Sequence, residues 1–256
     1  MNVIILGSGT AIPLQDRASP SIAVVIEGRP ILVDIGPGTL RQLARAGIRY
    51  EQIERVFLTH FHPDHTADLI HLLFASKNPE VLKRRRPFVI TGPSGTGRLI
   101  ASLQDAYPDW LSLPPEIMGI EELGMGRNVS RDYGNFTVTT TPADHTPASL
   151  AYRIEDREGK ALVYSGDTGF CDEVVELAKG ADLLILESSF PNGKRCEGHL
   201  TPSLAGRMAT LAGVERLVLV HFYPECLRTD IAAQCRKTYM GELILGEDLL
   251  SLRVSM

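Results

Sequence analysis

A short apolar run, Arg55-Val56-Phe57-Leu58, passes directly into Thr59-His60-Phe61-His62-Pro63-Asp64-His65. No other stretch constrains the chain as strongly. Four groups able to ligate a metal, His60, His62, Asp64 and His65, crowd a strand-to-helix corner. In an extended segment His60 and His62 project to the same side, because side chains repeat every two residues. Pro63 then turns the chain, so Asp64 and His65 are free to face a second ion. The competing reading is a helix-entry turn with Asp64 as its cap, but surplus histidine at this density is rarely structural.

Around this corner the sequence is a succession of short β-rich runs punctuated by Gly, Pro and Asp. Residues 3–6, 21–27, 30–34, 55–58, 88–91 and 136–141 read as strands. So do 150–154, 161–164, 183–187, 216–220, 243–245 and 250–254. Gly28 and Arg29 suggest a hairpin turn. Helices are expected over 39–46 (stopped by Gly47), 66–75, 94–105, 171–179, 201–212 (Pro202 in its first turn) and 230–239. Residues 107–115 read as a loop. Layer logic for strands interspersed with helices gives two packed sheets with helices on their outer faces.

The 256 residues are 44% hydrophobic and 22% charged, which suits a folded chain with a full core and excludes a disordered or disulfide-stapled one. One domain over residues 1–256 is expected. The net charge of −5 gives no general attraction for nucleic acid. Cys171, Cys196, Cys226 and Cys235 form no C-x-x-C pair and read as reduced thiols. A lesser reading puts Cys196 and Cys226 in a sulfur-rich metal site. With no export signal and no apolar run of about 20 residues, the expectation is a soluble cytoplasmic protein without membrane contact.

Three further strand ends carry possible ligands: Asp144-His145 after 136–141, Ser165-Gly166-Asp167 after 161–164, and His221 after 216–220. Strand ends are where open sheets build sites. Singly, each has a bland reading, as a loop histidine, a turn residue and a satisfied core group. Counted with the corner, they supply seven ligands, enough for two ions. Imidazole and carboxylate suit zinc, with manganese or iron as alternatives.

The order H-x-H-x-D-H, a distant His, S-G-D-T and a late His resembles the metallo-β-lactamase superfamily, and within it the ribonuclease Z-like phosphodiesterases. Leu6 to Pro13, Arg17-Ala18-Ser19-Pro20-Ser21, Asp34-Ile35-Gly36-Pro37-Gly38, Glu187-Ser188-Ser189-Phe190 and His199-Leu200-Thr201 match further segments of that group. The resemblance implies a four-layer αββα sandwich of α/β (α+β) class. It implies one metal on His60, His62, His145 and a bridging Asp167, and the other on Asp64, His65, His221 and the same Asp167. An aspartate bridge in place of a thiolate argues against antibiotic hydrolysis, and His62 in place of a glutamate argues against the redox branch.

Two ions roughly 3.5–4 Å apart bring the pKa of a shared water toward ~7 and neutralise charge on a phosphoryl or carbonyl oxygen. The expected function is therefore dinuclear metal-dependent hydrolysis by a metal-bridging hydroxide, most readily of a phosphodiester. The alternatives are a lactone, ester or thioester hydrolase on the same metals, and a metal-binding module without turnover. Asp64 orients or deprotonates the water. His199 is the candidate proton donor to the leaving group, and Glu187 the acid that holds it; a helix-start histidine and an unrelated strand-end carboxylate are the bland readings.

Ribonuclease Z enzymes usually carry a long tRNA-gripping arm. Where the bacterial form has it, between His145 and Asp167, this chain has only the turn over 155–160. A small or cyclic phosphodiester is thus favoured over precursor tRNA, with RNA retained as a possible partner and homodimerisation as another. Backbone N–H groups of Gly7 to Thr10, together with Arg17, are candidates for phosphate contact. Gly92 to Arg98 resembles a phosphate cradle but lacks the Lys-Ser/Thr ending, so it reads rather as the start of a helix after a strand. Lys83-Arg84-Arg85-Arg86 is either a solvated loop or a phosphate-backbone contact. His71 reads as a surface or core histidine.

Overall fold

Alternation of apolar side chains decides which way each strand faces. In β2 (Ser21–Ile26), Ile22, Val24 and Ile26 enter one core cluster while Ala23 enters another. In the computed structural model, which describes residues 1–254, this alternation builds two seven-stranded sheets. The first takes β1 (Asn2–Gly7), β2, β3 (Arg29–Val33), β4 (Arg55–Phe57), β5 (Phe88–Pro93) and β6 (Met118–Leu123). The second takes β7 (Val129–Asp132), β8 (Phe136–Pro142), β9 (Leu150–Asp156), β10 (Ala161–Tyr164), β11 (Leu183–Glu187), β12 (Arg216–Val220) and β13 (Glu242–Leu245) in sequential order. The last strand, β14 (Ser251–Arg253), returns to pair with β1.

The inner faces share one core. Ile22, Val24, Val33 and Phe57 of the first sheet cluster with Leu162, Ile185, Val218 and Val220 of the second. Outside the first sheet, Leu32, Val56 and Ile90 pack against α1 (Thr39–Arg45), α3 (Asp68–Ser76) and α5 (Thr96–Ala106), the last following the short α2 (Pro63–Thr66) and α4 (Pro79–Leu82) in the chain. Outside the second, Leu184, Leu186, Leu217 and Leu219 pack against α6 (Asp172–Ala178), α7 (Pro202–Ala212) and α9 (Ile231–Cys235), with α8 (Pro224–Leu227) at the rim. Each fully buried aliphatic side chain contributes about 1.5–3 kcal/mol, so this layering dominates the stability. The result is the expected αββα sandwich.

Strand direction places the site. In the first sheet β3, β4 and β5 run parallel. In the second, β10, β11 and β12 run parallel, and β8 shares their direction because β9 is antiparallel to both β8 and β10. The loops after β3, β4, β8, β10, β11 and β12 therefore leave at C-terminal strand edges. Two bonds tie those edges together: Leu150 N donates to Thr59 O at 2.9 Å and Tyr152 Oη to Leu58 O at 2.6 Å.

Four local expectations need correction. Ile26 pairs with Arg29, so the hairpin turn is Glu27-Gly28, with φ of 50° and 75° as a type I′ turn requires. The helix expected over 66–75 is α3 (Asp68–Ser76), and the separate short α2 precedes it from Pro63, because proline at the first helical position costs no hydrogen bond. The helix expected over 230–239 contracts to Ile231–Cys235. Strands β6 and β7 were not expected; both are sheet edges whose exposed charged residues blend with the neighbouring loops.

Candidate metal centre

All seven expected ligands converge. His60 Nε2 and His145 Nε2 lie 3.9 and 3.7 Å from Asp167 Oδ2. On the other side, His65 Nε2 and His221 Nε2 each lie 3.3 Å from Asp167 Oδ1. Asp64 Oδ2 completes that side, 3.6 Å from His221 Nε2 and 3.9 Å from His65 Nε2. The exposed His62 joins the first side, its Nδ1 3.1 Å from His145 Nε2. The two oxygens of one buried carboxylate thus face two separate donor sets. Within each set the donor atoms lie within 4.8 Å of one another.

The donors fit divalent cations. His60 Nε2, His65 Nε2, His221 Nε2 and Asp167 Oδ1 are buried and have no hydrogen-bond partner. Leaving such an atom unpaired costs about 1–3 kcal/mol, more if charged, and ions caged between the sets satisfy all four. The other ring nitrogen of each buried imidazole is occupied. His65 Nδ1 lies 2.7 Å from Asp34 Oδ2, His60 Nδ1 3.0 Å from Thr59 Oγ1, His145 Nδ1 2.9 Å from Gly198 O, and His221 Nδ1 2.9 Å from Ser189 Oγ. These contacts aim Nε2 inward. Backbone strain sits at the same place: Asp34 and His221 adopt φ of 60° and 59°, a left-handed conformation costing of order 1–3 kcal/mol each. The His221 N–H donates to Ser8 O at 2.9 Å, which helps hold it there.

Electrostatics follow the packing. Burial, reinforced by neighbouring imidazoles, drives His60 far below the ordinary histidine range, and burial also lowers His145. Burial opposes charge on His65, but Asp167 and Asp34 outweigh it and hold that imidazole well above its usual value. Burial likewise opposes ionisation of Asp167, yet His221 and His65 hold its carboxyl well below the usual range. Asp64 is lowered against burial by His221 and His65.

His199 stands at the rim, its ring 4.8 Å from that of His145. Its Nδ1 lies 2.7 Å from Glu187 Oε1. Glu187 is 1% exposed and also accepts from the backbone N–H groups of Thr168, Ser189 and Leu200 and from Ser189 Oγ. Burial works against charge on His199, but Glu187 overcomes it and holds the imidazole above the ordinary range. Beside His199 opens a cleft of about 950 Å³ whose lining includes Asp144, Arg195, Glu197 and Arg207.

Several expected phosphate contacts are already engaged. Ser8 N donates to Asp248 Oδ1 and Gly9 N to Ala18 O, both at 2.9 Å. Arg17 Nη1 donates to Ser8 Oγ and Gly246 O, both at 2.7 Å. At the Gly92–Arg98 turn, Glu122 Oε1 accepts from Gly95 N and Gly97 N. Lys83, Arg84 and Arg86 pair with Glu80, Glu51 and Glu54, and Arg85 is buried over the Phe88 ring. His71 is a surface histidine near Asp68. Among the described residues no cysteine joins a metal-competent group, and burial pushes the Cys226 thiol up to about 12. Asp34, Thr59, Ser189 and Gly198 are site residues that the sequence reading does not single out; its signals are the D-x-G segment at Asp34, the Glu187–Phe190 segment that holds Ser189, and the place of Thr59 at the head of the histidine corner.

Residues 29–222 match the β-lactamase superfamily domain. A ribonuclease Z of Methanothermobacter thermautotrophicus is 30% identical over 305 aligned positions, covering 99% of this chain and 97% of the relative. Those positions outnumber the 256 residues here, so the relative carries insertions this chain lacks. Human tRNase Z, short form, superposes with a TM-score of 0.80 at 26% identity, covering all of both chains. The metallo-β-lactamase fold protein YhfI from Bacillus subtilis superposes with a TM-score of 0.85 at 23% identity over 98% of each chain, a likeness of fold alone. Among the described residues no helix is long and apolar enough to cross a membrane.

Proposed function

Because the chain belongs to the β-lactamase superfamily, as a metal-dependent hydrolase with ribonuclease Z relatives, we propose that it hydrolyses phosphodiesters at a pair of divalent cations. The observation that carries this reading is Asp167, whose two oxygens address two separate donor sets. His60, His62, His145 and Asp167 Oδ2 would hold one cation; Asp64, His65, His221 and Asp167 Oδ1 the other. Zinc is the expected ion, with manganese or iron as alternatives on donor type. When bound, such a pair would lower the pKa of a water and offset charge developing on the phosphoryl oxygens.

The chain's own groups do the rest. Asp64 orients the attacking water. His199 presents its Nε2 as proton donor to the leaving oxygen, while Nδ1 is fixed on Glu187. That bond stabilises the cationic imidazole a general acid needs. The cleft beside His199 admits the leaving group, and its charged lining of Asp144, Arg195, Glu197 and Arg207 suits a polar substrate better than an apolar lactone.

We further read the substrate as a small or cyclic phosphodiester. Between His145 and Asp167 the chain holds only the β9–β10 hairpin, and in the basic run Lys83, Arg84 and Arg86 are paired with acids while Arg85 is buried. The core shared by both sheets supports treating residues 1–256 as one domain. Turnover of bis-p-nitrophenyl phosphate and of a cyclic nucleotide by metal-loaded protein, with little cleavage of precursor tRNA, is expected. Turnover confined to lactones or thioesters overturns the phosphodiester reading; efficient tRNA cleavage overturns the small-substrate reading.

A further inference from the structure

Each sheet places one buried carboxylate at a strand end, and the two are wired alike. On the first sheet Asp34 lies 2.7 Å from His65 Nδ1 and accepts from Thr59 Oγ1 at 2.9 Å; that hydroxyl lies 3.0 Å from His60 Nδ1. On the second sheet Glu187 lies 2.7 Å from His199 Nδ1 and accepts from Ser189 Oγ at 2.6 Å; that hydroxyl lies 2.9 Å from His221 Nδ1. The backbone repeats the pattern, with Thr59 N donating to Asp34 at 2.8 Å and Ser189 N to Glu187 at 3.0 Å.

We propose that Thr59 and Ser189 are matched positioning residues, each extending a buried carboxylate through its hydroxyl to a second imidazole: Thr59 to His60, Ser189 to His221. The inference rests on the reading of His60 and His221 as ligands to separate cations.

Counting protons gives the direction. Each carboxylate is surrounded by donors on both oxygens, so it acts as acceptor only. A hydroxyl has one hydrogen, and that hydrogen goes to the carboxylate. The hydroxyl oxygen is left with lone pairs, so the imidazole facing it must donate Nδ1–H. His199 also lies 3.2 Å from Ser189 Oγ, but its shorter contact is with Glu187 itself. His60 and His221 are thereby fixed in the tautomer whose Nε2 carries a free lone pair, the form a cation requires. Those two Nε2 atoms are among the buried atoms without a partner. A hydroxyl is needed at both positions because neither carboxylate reaches its second imidazole directly.

The test is a two-site metal titration of the whole chain by competition with a chromogenic chelator, using zinc. Thr59→Val and Ser189→Val remove the hydroxyls; Thr59→Ser and Ser189→Thr keep them. Each Val variant is expected to weaken one equivalent about 10–100-fold while leaving the other at wild-type affinity. The double Val variant is expected to weaken both, because the relays serve different cations. The hydroxyl-retaining variants are expected to restore wild-type binding even where side-chain shape changes. Wild-type affinity for both equivalents in the Val variants overturns the relay. So does a double variant that still holds one equivalent normally, or equal weakening in Ser189→Thr and Ser189→Val. A wild-type chain that takes up fewer than two equivalents removes the two-cation reading itself, and the relay with it.

Discussion

The two sheets reach the same centre by different means. The first delivers His60, His62, Asp64 and His65 on a single corner after β4. The second delivers His145, Asp167 and His221 from three loops far apart in the chain, after β8, β10 and β12. A contiguous corner is positioned by local geometry: two histidines at strand spacing, then Pro63 opening a helix. Scattered ligands are positioned only by topology, because parallel β10, β11 and β12 send their following loops to one edge. The scattered half holds the joint between the sets, Asp167, and the neighbouring His199, proposed as proton donor. The contiguous half anchors itself on one residue, Asp34.

The comparison breaks most sharply at Asp167. Asp167→Ala is expected to lower phosphodiester turnover by at least about 10³-fold and to reduce bound metal below two equivalents, since both sets lose a shared ligand. Elemental analysis with steady-state kinetics checks this; two retained metals and near-normal rates refute the bridging role. His199→Ala comes next. It is expected to reduce kcat about 10²–10⁴-fold with metal content unchanged. Loss of metal in that variant would make His199 a ligand, a role its proximity to Asp167 and His221 permits.

A smaller effect is expected from Asp34→Asn, which withdraws the charge facing His65. Metal affinity should fall about 10–100-fold, with activity recovered at high metal concentration; activity that excess metal fails to restore contradicts an anchoring role. The smallest effect is expected from replacing Lys83, Arg84 and Arg86 together by Ala. Their partners are Glu80, Glu54 and the buried Glu51, none of them at the metal centre, so kcat/KM should stay within about twofold and its salt dependence should not change. A marked loss against an RNA substrate alone restores the basic run as a nucleic-acid contact.

This contrast also explains what could be read from the sequence. The contiguous corner is legible because strand spacing and a proline turn fix side-chain directions locally. Asp167 and His221 were legible as strand ends, but their convergence depends on parallel pairing that no local pattern displays. The supporting groups were harder still. Ser189 and Gly198 look like ordinary loop residues until His221 and His145, 32 and 53 positions away, arrive against them. The phosphate-contact reading of Ser8 and Gly9 fails for the same reason, while Gly95 stands at the strand-to-helix turn that was the preferred reading of its segment. Each free-looking N–H meets a distant acceptor, on Asp248, Ala18 or Glu122. The basic run could not be decided from its own residues because two of its acids, Glu51 and Glu54, approach from another segment.

The most direct test is anomalous diffraction from crystals of the metal-loaded chain, recorded at the metal absorption edge. The account predicts two peaks flanking Asp167, one among His60, His62 and His145, the other among Asp64, His65 and His221. A single peak, or two peaks on the same side of that carboxylate, contradicts it.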